Sequence, residues 1–446
     1  MSRLRLPHPA VLVLIGIGLA ALLTWILPSG EFERREDPAT GRRVVVAGTY
    51  HAVPATPVGP LGAILSVPRG LLDAADIMIA VFFVGGAFAL VEQLGTLQRG
   101  AVTLARRFSQ RGLWAIPFIT LPFALLGALE NMQEEIIPLV PVLLILGRAL
   151  GVDAVTMVAV SMGGAAIGSA FSPINPFQAG LALRLAQLPP LSGGALRLVM
   201  LGVALALWIA WTMRYAARNL VEPDVQTEVA TQVLTRRDVA ILALLAVPLG
   251  AYVYGALQLG WGFNELSAVF FAAAIVVGLI GGLGMSGTMR AYLAGMHSLV
   301  PATVLIGMAR SISVVLGDGH VIDTIVRGLA APLTKVPATV AALGMVPLHG
   351  LLHIAVPSVS GQAVLTLPVL IPLSDLLGLT RQATVLAYQT GAGLMDAVTP
   401  TNGALMAILL AAGVSWSNWM SFMLRGGALM LAVGAAGILA AALLGL

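Results

Sequence analysis

The sequence predicts an all-α, multi-pass membrane protein built as an inverted-topology repeat, with two re-entrant hairpins and two broken helices. Three observations carry that reading. First, 58% of the 446 residues are hydrophobic and 10% charged, where a water-soluble chain carries about 25% charged residues. Second, apolar runs of spanning length recur along the whole chain. Third, the chain repeats itself. The segment from Pro141 to Asn175 aligns without a gap on the segment from Pro368 to Asn402, with 12 identities in 35 positions. Both copies end in the same polar break, Ser172-Pro173-Ile174-Asn175 and Thr399-Pro400-Thr401-Asn402. A duplicated, Pro-interrupted apolar segment is the strongest sequence pointer to the binding site of a secondary transporter.

In chain order the expected spans are 10–27, 76–95, a hairpin at 114–148, a broken span at 153–187, and 195–215. The second half adds 238–257, 263–284, 295–316, a hairpin at 337–377, a broken span at 381–414, and 422–445. Residues 60–73 and 321–333 are amphipathic and expected at the interface. The whole chain, 1–446, reads as one membrane domain. Repeat one covers 76–218 with its hairpin at 113–148. Repeat two covers 295–446 with its hairpin at 337–377.

The hairpins rest on length and polarity. From Leu113 to Arg148 the chain is too short for two full spans and a turn. Its middle, Glu130-Asn131-Met132-Gln133-Glu134-Glu135, is polar. The second hairpin turns at Pro357-Ser358-Val359-Ser360-Gly361-Gln362. Polar backbone at membrane depth is tolerated only where protein or a water-filled cavity surrounds it. The unmatched span at 263–284 supplies the flip that makes the repeats inverted.

Arginine sets the orientation. Arg99, Arg106, Arg107 and Arg111 share one connection, Arg214, Arg218, Arg236 and Arg237 flank another, and Arg290 lies in a third. Placing these inside puts the N-terminus in the cytoplasm. Residues 29–58, with four Arg and four acidic residues, then fall outside against the rule. The first apolar stretch reads as an uncleaved helix. The basic residues suit the cytoplasmic face of a membrane better than a nucleic acid. With no cysteine, there is neither a disulfide framework nor a thiolate metal site.

Several side chains are candidates for chemistry. At each broken helix, Pro frees carbonyls on one side and exposes amides on the other. Oxygens of Ser172, Asn175, Thr399, Thr401 and Asn402 suit a small coupling cation, and the amide ends suit a carboxylate. A structural Pro kink is the alternative, and its repetition at one offset argues against it. Glu130, Glu134 and Glu135, with Asn131, form the first tip; the alternative is a solvated acidic cluster. Ser358, Ser360 and Gly361 make the second tip neutral and small, open to close ligand approach. Asp396, aligned with Ser169, can bind Na⁺, carry a proton, hold a substrate cation, or serve as a structural cap. Arg310 is the lone basic residue inside an apolar span. Its expected partner is a substrate carboxylate, Asp396 or a tip Glu. His349 and His353, four apart, share a helix face; packing or hydrogen bonding is the ordinary reading and a proton relay the other. Gly85-Gly86, Gly163-Gly164 and Gly391-Ala392-Gly393 mark close helix packing.

Four stretches carry a family resemblance. They are Glu134-Glu135-Ile136-Ile137-Pro138, Pro357 to Ala363, Thr399-Pro400-Thr401-Asn402-Gly403, and Ala309 to Val315 followed by Asp323-Thr324. They resemble the signature segments of the YfcC/DcuC-type carriers of the ion transporter superfamily, along nearly the whole chain. The resemblance implies a homodimer in the bacterial cytoplasmic membrane, with a scaffold and a mobile transport domain holding the hairpins and broken helices. It implies a carrier for a small solute, either C4-dicarboxylates or basic amino acids such as arginine and ornithine. Related carriers place paired Ser-Asn-Thr motifs on the hairpins, and this chain departs from them at Glu130-Asn131-Met132 and Ser358-Val359-Ser360.

The resulting expectation is a secondary active transporter, not an enzyme. It moves a small carboxylate-bearing solute, an amino acid and by preference a basic one, by an elevator-like movement. Coupling is to Na⁺ or H⁺, or by exchange, with no resident cofactor and no nucleic-acid partner. The acidic first tip makes a plain dicarboxylate site less comfortable, since like charges repel; a C4-dicarboxylate carrier is the alternative. No GxxxxGK[ST] segment occurs, so ATP is not the direct energy source within this chain. A channel or a membrane enzyme fits less well: the inverted repeat suits alternating access, and no HExxH or GxSxG motif is present.

Overall fold

The computed structural model describes residues 9–38, 40–107, 112–222 and 234–446. Among them, ten helices are long and apolar enough to cross a membrane. The protein is a multi-pass membrane protein. Arg111 falls outside the described residues; Arg99 and Arg107 belong to a helix, Thr96–Arg107, where the sequence suggested a loop.

The first expected span is Pro9–Ile26. Four short strands follow, pairing antiparallel as Gly30–Glu31 with His51–Ala52 and Arg34–Asp37 with Arg42–Val45. They were not foreseen, because the charged run Glu31-Phe32-Glu33-Arg34-Arg35-Glu36-Asp37 has no apolar alternation. Pairing is anchored elsewhere: the Phe32 amide donates to Asp323 Oδ2 at 2.8 Å and Arg34 Nη2 to Asp323 Oδ1 at 2.9 Å. Pro60–Asp73 is the amphipathic helix, and Ala75–Gln93 begins two residues later.

The first hairpin is Ala115–Glu130, a 3₁₀ segment Glu134–Leu139, and Val140–Leu150. The first limb's 16 residues reach about 24 Å, and the contiguous 3₁₀ and α segments from Glu134 to Leu150 together reach about 28 Å. The turn falls at Asn131, whose φ of 57° is left-handed, a conformation Asn tolerates. The second hairpin, Ala338–Ala355 and Val359–Leu376, has limbs of 18 residues each. By length and apolarity alone those limbs are able to cross.

The first broken helix runs Ala154–Phe171, breaks at Ser172 to Asn175, and resumes at Pro176 to Leu185. It contains two π-helical turns, Ala159–Gly163 and Pro176–Gly180, a feature frequent at functional sites. The second is Arg381–Met395, a break from Asp396 to Asn402, then Gly403–Ala411. The first broken helix is 94% buried inside the protein, more than any other span-length helix, so it forms the core of the fold. It packs so closely on the first hairpin that a Cβ on Gly127 or Gly168 would lie 2.0 Å from a backbone carbonyl oxygen, of Ala165 and Ala124 respectively. Gly391 is also tightly packed: a Cβ there would lie 2.5 Å from the Val346 carbonyl oxygen.

The remaining helices are Gly194–Ala216, Arg236–Leu259, Phe263–Ile280, Gly284–Ser298, Val300–Asp318, Ile322–Ala330 and Trp416–Leu444. The expected span at 295–316 starts later than read, because a separate helix, Gly284–Ser298, ends just before it. Pro301 favours the start of the new helix. Two apolar clusters result. The larger joins the broken helices, both hairpins, Pro9–Ile26 and Val300–Asp318. The smaller joins Ala75–Gln93 to the helices between Arg236 and Ser298.

Candidate functional site

A cavity of about 480 Å³ lies where these two clusters meet. Both hairpin tips and the second break line it. Ten sequence candidates come together there, nine of them Glu130, Asn131, Glu134, Glu135, Ser358, Ser360, Asp396, Asn402 and Arg310. Thr401 is the tenth. Sequence reasoning did not single out Asp73, Asp76, Gln133 or the aromatic wall of Tyr252, Trp261 and Phe263. The signal for the two aspartates was the pair Asp73-Ala74-Ala75-Asp76 joining an amphipathic helix to a span.

Ser172, Asn175, Thr399 and Gly361 are not in the cavity wall. Ser172 Oγ donates to the Ala128 carbonyl at 2.7 Å and accepts from the amides of Ile174 and Asn175. Asn175 Nδ2 donates to the Gly127 carbonyl at 2.9 Å, and its Oδ1 caps the resumed helix by accepting from the amides of Phe177 and Gln178. These two residues pin the first break to the first hairpin, so their oxygens are already engaged. Thr399 Oγ1 lies 2.8 Å from Thr401 Oγ1, and Gly361 donates its amide to the Ser358 hydroxyl at the N-cap of the second limb. Asn131 is tied the same way: Ser169 Oγ and Gln178 Nε2 both donate to its Oδ1.

Asp396 is the junction of the site and is only 4% exposed. Its Oδ1 lies 2.9 Å from His353 Nε2 and accepts from Asn402 Nδ2 at 2.9 Å. Its Oδ2 accepts from Gln133 Nε2 at 3.0 Å. One carboxylate thereby links the first tip, the second hairpin and the second break. The two histidines have the hydrogen-bonding role that the sequence favoured: His353 Nδ1 lies 2.9 Å from Gln362 Oε1, and Gln362 Nε2 donates to the His349 carbonyl at 2.8 Å. No group of three or more His, Cys, Asp or Glu poised to hold a metal occurs among the described residues.

Arg310 does not pair with Asp396 or a tip Glu. Its Nε donates to Asp73 Oδ2, and both side chains remain part exposed. The reason is position: Val300–Asp318 packs along Pro60–Asp73, which brings Asp73 directly against the guanidinium. Asp73, Arg310 and Ser358 also line a second hollow of about 540 Å³. A bidentate Arg69–Asp318 pair lines its far side, next to the segment that carries Thr56. The Arg310–Asp73 pair thus stands between the hollow and the cavity. Replacing Asp73 by Asn is expected to open that passage. The chain has no native cysteine, so Ser360→Cys provides a sole thiol. Its labelling by a membrane-impermeant reagent is expected to quicken about tenfold with Asp73→Asn, and an unchanged rate would mean the pair does not gate the cavity.

Carboxyl groups dominate the rest of the wall. Six carboxyl groups line the cavity, on Asp73, Asp76, Glu130, Glu134, Glu135 and Asp396, against one basic side chain, Arg310. Glu130 Oε1 and Glu135 Oε2 are buried and have no hydrogen-bond partner among the described residues. Asn402, Gly403 and Ala404, at the N-terminal end of a helix, also line the cavity, and the Asn402 amide is taken by the Thr399 carbonyl at 3.2 Å.

The family model for C4-dicarboxylate anaerobic carriers, DcuC, matches residues 6–443. The chain is 30% identical over 468 aligned positions to the Escherichia coli protein YfcC, whose assignment is basic amino acid antiport, covering 94% of this chain and 92% of the relative. It is 26% identical over 463 positions to a Haemophilus influenzae protein, covering 91% of each. Among solved structures it is similar to the Alcanivorax borkumensis YdaH transporter, with TM-score 0.46 and 18% identity over 97% of this chain and 98% of that one. The family match over residues 6–443, with 30% identity to a relative along nearly the whole chain, leads to one conclusion: this chain belongs to the DcuC family of carriers, the C4-dicarboxylate anaerobic carriers.

Proposed function

We propose that the protein is a secondary antiporter for a basic amino acid, bound in the cavity between the hairpin tips and the second break. The observation that carries this is the six-to-one excess of carboxyl groups in the wall, with the one arginine already paired. A buried carboxyl group is held ionised only beside a cation, and the unpartnered oxygens of Glu130 and Glu135 are available as ligands for one. We assign the α-carboxylate to the helix N-terminus at Gly403 and Ala404, where the first amides of a helix favour negative charge. The E. coli relative's assignment agrees with this choice.

A C4-dicarboxylate carrier is the second reading, favoured by the family description and by the same helix N-terminus. In either reading the hairpins re-enter the membrane, in two inverted repeats over 76–218 and 295–446, and the cavity is exposed alternately to each side. The meeting of two apolar clusters at the cavity supports a transport body moving against a scaffold. We place the protein as a homodimer in the bacterial cytoplasmic membrane, N-terminus inside. Coupling by Na⁺ at the second break, through Thr401, competes with coupling by protons or by exchange alone.

Counterflow in proteoliposomes tests the substrate. Arginine or ornithine loaded inside is expected to stimulate uptake of the labelled basic amino acid, with succinate and malate inert. Uptake of succinate or malate alone would establish the dicarboxylate reading. Glu135→Gln is expected to raise the half-saturating arginine concentration about tenfold, the effect of losing roughly 1.4 kcal/mol.

A further inference from the structure

The hydrogen-bond chain behind the cavity has only one consistent set of protons. Gln362 approaches the His349 carbonyl at 2.8 Å, and a carbonyl only accepts, so the amide nitrogen must face it. That nitrogen also meets His349 Nδ1 at 3.0 Å, which must therefore accept. The other amide atom is then an oxygen, 2.9 Å from His353 Nδ1, so that ring nitrogen must carry hydrogen. At the far side of the ring, Nε2 lies 2.9 Å from Asp396 Oδ1. Asn402 is fixed as well: its Oδ1 accepts from the Leu405 amide at 2.9 Å, so its Nδ2 donates to Asp396. A neutral His353 facing an ionised Asp396 would bring two lone pairs together. The pair must instead hold one extra proton, as imidazolium and carboxylate or as imidazole and carboxylic acid.

We propose that His353 and Asp396 form a binding site for one transported proton, released when the substrate's cation takes Asp396. The proposal rests on the basic-amino-acid reading for its second half only. His353 is fully buried, whereas Asp396 is in the cavity wall, so the proton's path to the cavity runs through the carboxylate. When an ammonium or guanidinium reaches Asp396, the shared proton leaves by way of the carboxylate: if on His353 Nε2 it first passes to Asp396 Oδ1, and the O–H bond then breaks with its electron pair left on the carboxylate. The proton passes to water in the cavity, and Nδ1 keeps its hydrogen on Gln362. Proton and substrate thus compete for one carboxylate, which is sufficient for one-for-one exchange. The other titratable groups that face the pair are Glu134 from the first tip, His349 on the same helix and Tyr388 from the second broken helix, with Glu130 and Glu135 across the cavity. Tyr388 is committed, donating to the Val359 carbonyl at 2.7 Å.

Two readouts separate this proposal from the substrate reading. The first is ¹⁵N spectra of histidine-labelled, substrate-free protein in nanodiscs. One histidine, absent from the spectrum of His353→Gln, is expected to show a protonated Nδ1 and a proton-sharing Nε2. Asp396→Asn is expected to move the same Nε2 resonance to the unshared position, which assigns it should His353→Gln not fold. An Nε2 with no shared proton in the wild type would overturn the proposal whatever the substrate is. The second is proton flux in dye-loaded proteoliposomes, expected at about one proton per ornithine exchanged against the proton gradient, with ornithine quenching the Nε2 sharing. Ornithine transport without proton movement, or proton movement retained in His353→Gln, would overturn it. Absence of any ornithine transport would instead sink the basic-amino-acid reading and leave the spectrum to decide the proton site.

Discussion

Asp396→Asn is expected to lower counterflow of arginine on the order of 100-fold, with the folded protein retained. The amide keeps the size of the carboxyl group but removes its charge. It also directs an NH₂ group at donors already in place on Gln133, Asn402 or His353. Truncating one partner of a buried charged network costs about 2–5 kcal/mol, which corresponds to a loss of that order. The site is assembled from three separate elements through this single side chain, so the loss is expected in both affinity and turnover. Transport rates at saturating arginine, with a melting curve in nanodiscs as the folding control, check it. Rates within threefold of the wild type would remove Asp396 from the centre of the site.

Gly168→Leu is expected to have the largest effect on the fold. A Cβ at that position would lie 2.0 Å from the Ala124 carbonyl oxygen, and the contact is with backbone, which has no rotamer to change. The first hairpin must then move away from the first broken helix. That would break the bonds from Ser172 to Ala128 and from Asn175 to Gly127 that hold the break in register. Overpacking of this kind costs about 3 kcal/mol or more. The expected observation is a sharp fall in the yield of monodisperse protein and in melting temperature. Gly202→Leu, where nothing lies within 4 Å of an added Cβ, serves as the control and is expected to be tolerated.

Most helices were legible because apolar length is a strong signal in a membrane chain: Pro9–Ile26, Gly194–Ala216 and Phe263–Ile280 begin within a residue of their expected starts. Both breaks were legible from proline and from the internal repeat, since Pro173 and Pro400 interrupt two aligned runs. Strands at residues 30–52 were not, because their pairing depends on Asp323, nearly 300 residues away in the chain. The same limit applies to the site. Residue type was enough to find Asp396, Glu130 and Glu135, which are costly to bury without a purpose. Partners were a different matter. Arg310 was expected to meet Asp396 or a tip Glu, and it meets Asp73, because helix packing brings Pro60–Asp73 alongside. Ser172 and Asn175 looked like free oxygens in the sequence, and the fold uses them as caps. Gln133 and Gln362 carried no signal of their own; their roles arise only once His353 and Asp396 are brought together.

The measurement that tests the central claim most directly is a structure determined in lipid nanodiscs with saturating ornithine. The expected result is density in the cavity, with the side-chain ammonium within hydrogen-bonding distance of Asp396, Glu130 or Glu135 and the carboxylate at the helix N-terminus formed by Gly403 and Ala404. An empty cavity with ornithine bound elsewhere, or a cavity that fills only when succinate replaces ornithine, would contradict it.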